Sequence, residues 1–81
     1  MRIRLVFQRT SDGAGEIRAH IHRSELEDTL IVGDYHRSAK NAWTAFLWKT
    51  PGDRSVIART VTGPDVAKLS TLACNGGAWW T

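Results

Sequence analysis

Cysteine is almost absent from this sequence: Cys74 is the only one in 81 residues. An internal disulfide framework is excluded, and the usage suits a reducing compartment, so a cytoplasmic location is expected. Proline is nearly as scarce, with Pro51 and Pro64 alone, and no low-complexity tract occurs. No apolar run approaches the roughly 18 residues that a membrane helix requires, so no membrane partner is expected. From Met1 to Phe7 charge is interleaved with apolar residues instead of preceding them, which does not read as a signal peptide. No repeat or linker-like segment divides the chain, and its length fits one domain over residues 1–81. One Tyr and two Phe make the four Trp conspicuous.

Charge is present in ordinary amount but unevenly placed. Residues 1–23 hold five Arg against Asp12 and Glu16, a balance of +3. Residues 24–34 hold Glu25, Glu27, Asp28 and Asp34 with no basic residue, a balance of −4. Residues 35–81 return to +4, which leaves the chain at +3 overall. Eight of the eleven basic residues are Arg, whose planar fork matches phosphate and carboxylate geometry.

Period-two alternation dominates the first third. Ile3, Leu5 and Phe7 oppose Arg2, Arg4, Val6 and Gln8, and Ile17, Ala19 and Ile21 oppose Glu16, Arg18, His20 and His22. Two such strands around a Gly-containing loop predict an antiparallel hairpin. Ser24-Glu25-Leu26-Glu27 carries the capping-box pattern, which predicts one or two helical turns from Ser24 to Leu30. Leu30-Ile31-Val32 offers the alternative, the start of a third strand. Between Ser38 and Thr50 helical spacing (Ala39, Ala42, Trp43, Phe46, Leu47) competes with a β-favouring run from Trp43 to Trp48. The strand is preferred, because Pro51-Gly52 is a type II turn signal and Ser55 to Thr62 beyond it is strand-like. Since type II turns are not the usual hairpin turns, a slightly longer loop is expected. Thr62-Gly63-Pro64-Asp65 predicts a helix start capped at Thr62, with Val66, Leu69, Leu72 and Ala73 as its buried stripe and Asn75-Gly76-Gly77 as its stop. Together these patterns predict an α+β domain: an antiparallel sheet of four or five strands with the C-terminal helix packed on one face.

Chemistry-bearing motifs are few. His20 and His22 project from one strand face, and His36, Asp34 or Cys74 would have to complete a metal site; with only one such pair, no metal is expected. Cys74 at the apolar end of a helix reads as a buried, inert thiol. Glu25, Glu27 and Asp28 read as acids in a helix first turn. Gly13-Ala14-Gly15 lacks the Gly, Lys and Ser or Thr of a phosphate loop. No enzyme signature emerges, and no cofactor is expected.

The outer face of the first hairpin is the more informative feature. Arg2, Arg4, Arg18, His20 and His22 would project together, opposed only by Glu16, and such a ribbon can enter a major groove or track phosphates. Arg54 and Arg59 of the second hairpin are further candidates, interleaved with aromatic residues that suit base stacking. Trp43 and Trp48 are expected in the core, whereas Trp79 and Trp80, adjacent in an extended tail, point opposite ways, so one can pack inward while the other supplies an exposed anchor for a partner. From Asn41 to Leu69, a Trp-bearing strand, a turn, a second strand and a Thr-started helix resemble in outline the sheet-plus-helix modules of integrase arm-binding domains and their plant counterparts. The dense basic residues of those modules are missing here, so no site residues are carried over. The expected function is a non-enzymatic nucleic-acid-binding or regulatory module, with DNA or RNA as partner. The alternative is a compact protein-binding inhibitor of the phage or mobile-element type, acting on a host defence or nucleic-acid-processing complex. In that case Trp79, Trp80, Glu25, Glu27 and Asp28 would meet the partner, the acids imitating phosphates.

Overall fold

A computed structural model describes residues 2–75 and 77–80. Gly76, part of the predicted helix stop, and Thr81, the last residue of the apolar tail, lie outside them. Five strands follow one another: β1 (Arg2–Ser11), β2 (Ala14–Arg23), β3 (Leu26–Ala39), β4 (Ala42–Thr50) and β5 (Asp53–Gly63). A single helix, α1 (Val66–Cys74), follows them. The strands form one antiparallel meander in the order β1-β2-β3-β4-β5, and α1 packs against β5, β4 and β1 on one face. The α+β architecture expected from the alternation is the one observed.

The hydrophobic alternation of β1 and β2 sets the register. Ile3 pairs with Ile21, Leu5 with Ala19 and Phe7 with Ile17, so the apolar residues of both strands share the helix-covered face. Across β3 and β4 this face continues with Gly33 opposite Leu47 and Tyr35 opposite Ala45. Ile17, Ala19, Val32, Tyr35, Trp43, Ala45 and Leu47 meet Leu69 and Ala73 of α1 in one core. Gly15 leaves room for the Tyr35 ring, since a Cβ there would collide with that ring and with the Gln8 carbonyl.

The predicted helix at Ser24–Leu30 does not form. Ser24 and Glu25 are a two-residue turn, with Ser24 at φ 49°, and Leu26 begins β3. The pairs Arg23–Leu26, His22–Glu27 and Ile21–Asp28 hold the segment in the sheet. A cap pattern yields to the ladder, because each ladder pair satisfies backbone groups that a two-turn helix would leave open. Glu25, Glu27 and Asp28 are therefore turn and strand residues, with no helix end to complement.

The strand preferred over a helix between Ser38 and Thr50 is present as β4, hairpinned to β5 through Pro51-Gly52. A turn that the sequence reading does not foresee, at Lys40-Asn41 with Asn41 at φ 61°, joins it to β3. Thr50 pairs directly with Asp53, so Pro51-Gly52 is a two-residue connection and not the longer loop expected. Register shifts beside Trp48 absorb the mismatch between turn and strand twist. The helix also starts later than Thr62. Thr62 and Gly63 still pair with Thr44 and Trp43, and Asp65 is the N-cap, its carboxylate accepting from the Lys68 amide at 2.8 Å.

Candidate functional site

With α1 and the tail on one side, the other face of the sheet is open. Register places Arg2 beside His22 and Arg4 beside His20, and β3 brings Glu27 next to His22. These five side chains line a depression of about 260 Å³. The Glu27 carboxylate lies 3.2 Å from His20 Nδ1 and 3.8 Å from His22 Nδ1, and Thr29 Oγ1 lies 3.3 Å from His20 Nδ1. A carboxylate can only accept, so a ring that donates Nδ1–H to Glu27 keeps Nε2 for a ligand: an acceptor when neutral, a donor when charged. Two guanidinium forks and two imidazoles thus surround one acid. Such a site can hold a phosphate or a carboxylate.

Four of the five residues predicted for this face, Arg2, Arg4, His20 and His22, come together in that depression. Arg18 is one step further along β2, where its guanidinium faces Glu16 at 3.5 Å and its Nε is buried without a protein partner. Glu27 is the member that sequence reasoning put elsewhere. Placing it requires the β2–β3 register, which the capping-box pattern conceals.

The second group of candidates separates. Arg59 faces the helix and donates to the Leu72 carbonyl at 2.9 Å, where it caps the negative end of α1. It is unavailable to a ligand on the open face. Arg54 is at the other end of the open face, its guanidinium 5.6 Å from the centre of the Trp48 ring. Trp48 is buried as expected, but in a separate cluster on the open side, where Nε1 donates to Asp34 at 3.2 Å. Phe46 and Ile57 complete this cluster, and Phe46 stacks on His36 with ring centres 5.6 Å apart. Trp43 joins the main core and meets the Tyr35 ring.

The terminal tryptophans also divide. Trp79 is a core residue whose indole N–H donates to the Val32 carbonyl at 3.0 Å, so it is not an exposed anchor. Trp80 is half-buried, edge-on to Trp79 at 5.0 Å. Cys74 is exposed, contrary to the expected buried thiol: it is the last residue of α1, one past the buried Ala73. With Ile3, Leu5, Ala78 and Trp80 it lines an apolar pocket of about 290 Å³ beside β1.

Among the described residues no group of three or more His, Cys, Asp or Glu is arranged to hold a metal ion, and no helix is long and apolar enough to cross a membrane. The fold and open face define a five-stranded meander with one covering helix and a basic depression at one end. Comparison with protein-family models, curated proteins and solved structures gave no match.

Proposed function

We propose that this protein is a nucleic-acid-binding or regulatory module that holds phosphates in the basic depression of its open sheet face. One observation carries the reading: the β1–β2 register gathers Arg2, Arg4, His20 and His22 around a single carboxylate. The sheet fixes the backbone beneath these groups, so binding orders their exposed side chains but not the chain itself. Further along, Glu16 stands opposite Asp34, which confines favourable contact with a polyanion to the end of β1 and β2 that carries Arg2 and Arg4. The ligand's backbone then supplies most of the affinity, with the strand ribbon against a groove or a single strand.

Anisotropy titrations with labelled single-stranded and duplex oligonucleotides test the reading. Affinity for the duplex falls steeply between 50 and 200 mM salt if phosphates are held, by about tenfold for two contacts and about fortyfold for three. An affinity independent of salt contradicts it.

A second reading, a protein-binding inhibitor of the phage or mobile-element type, draws on the acidic segment. β4 pairs with β3 only from Gly33 onward, so Glu27 and Asp28 stand on an open stretch of β3 with Glu25 in the adjoining turn. Such a strip suits a basic partner, including a nucleic-acid-processing enzyme. Recovery of one nuclease-resistant partner from lysate, in place of many nuclease-sensitive ones, favours it.

A further inference from the structure

β1 is an edge strand, and its two faces differ sharply. It pairs with β2 alone, in an unbroken register from Arg2 to Arg9. Among the described residues its outer side has no backbone hydrogen-bond partner. Edge strands of this length carry a row of open N–H and C=O groups that can template another strand. β5, at the other edge, is interrupted by two register shifts that spoil a straight template.

On the open face β1 presents Arg2 and Arg4, next to His20 and His22. On the helix face it presents Ile3, 39% exposed, and Leu5, at the mouth of the apolar pocket that Cys74, Ala78 and Trp80 complete. A strand added here would alternate its side chains between these two environments. One set would enter the apolar pocket. The other would meet arginine.

We propose that the outer edge of β1 docks an extended segment of a partner protein in which acidic residues alternate with apolar ones. Charge selects this occupant. β1 carries Arg2, Arg4 and Arg9 and no acid, so a second copy pairing edge to edge would set arginines against arginines. The same side chains that block self-association attract a carboxylate-bearing strand. Nucleic acid could use Arg2 and Arg4 but has no N–H and C=O ladder to match the strand edge. The inference is thus independent of the phosphate reading and makes the two ligands competitors.

The test uses the full chain and a fluorescent ten-residue peptide alternating Glu with Val, with a Lys–Val peptide of the same pattern as control. Binding is read by anisotropy and backbone contact by hydrogen–deuterium exchange. The acidic peptide should bind, β1 amides should gain protection, and Arg4→Glu should weaken binding at least about tenfold. The Lys–Val peptide should not bind. Ile3→Asp, on an exposed side chain, should also weaken the acidic peptide while circular dichroism shows an intact fold. Acidic-peptide binding without new β1 protection would reduce the contact to charge adsorption and overturn the proposal. Equal binding of the Lys–Val peptide, or β1 protection that grows with protein concentration alone, would overturn it as well. So would an oligonucleotide that protects β1 amides as strongly as the peptide.

Discussion

Trp79 secures the closed face of the sheet from the far end of the chain. Its ring fills the core and its indole N–H satisfies the carbonyl of Val32, the extra residue of the β2–β3 register shift. Trp79→Ala should lose about 3–5 kcal/mol, a large share of the stability of a domain this size, as read by urea unfolding. Trp80→Ala should cost clearly less, because its ring is half-buried and the edge-on pair adds only about 1 kcal/mol. Tyr35 gives a second residue-level test. Burial raises its pKa above the ordinary 10.0, against a smaller lowering by Arg9. The folded state therefore holds the phenol proton more tightly than the unfolded chain does. Its contribution is complete below pH 10 and is lost as pH rises through the higher folded value. Tyr35→Phe should remove that alkaline slope in stability-versus-pH measurements; an unchanged slope would assign it to other groups.

At the scale of elements, strands were legible and their ends were not. The alternation of β1 and β2 and the β-rich run of β4 and β5 follow directly from which side chains need burial. Residues 24–30 misled because a capping box is a local pattern, whereas the β2–β3 ladder is decided by pairing with residues 17–23. Thr62 failed as a cap for the same reason, since its pairing with Thr44 outweighs a first helical turn. Ser24 pays for the ladder with a left-handed backbone, at φ 49°. Ser24→Gly should therefore raise stability, by about 0.5–1 kcal/mol after the added unfolded-state entropy. Gly33→Ala should act oppositely. A Cβ there would stand 2.6 Å from the Phe46 carbonyl oxygen and 3.0 Å from Ile17 Cδ1, where β3 and β4 approach closely. A loss of about 1–3 kcal/mol is expected, and thermal unfolding of both variants measures these signs.

For the whole molecule, the arrangement of charge matters more than its sum. Hairpin alternation alone aligns Arg2, Arg4, His20 and His22, so this part of the candidate site is legible in the sequence. Glu27 was not readable, because its place depends on a cross-strand neighbour that the local pattern assigned to a helix. Arg59 stands opposite the buried Leu47 on the helix-covered face, against Leu72, and this cross-strand pairing was not legible from the second hairpin's composition. The terminal tryptophans took their roles from the tertiary fold: the tail returns across the sheet to Val32, 47 residues back in the chain. What remains outward is a basic end, an acidic stretch of β3 and the free edge of β1. The salt dependence of oligonucleotide affinity in an Arg2→Ala/Arg4→Ala variant tests the basic end most directly. Each phosphate contact contributes about 0.9 to the slope of log affinity against log salt. The variant should bind more weakly and lose close to two contacts' worth of slope, while Arg54→Ala leaves the slope nearly unchanged. A slope in the double variant equal to that of the wild type would contradict phosphate binding at this face.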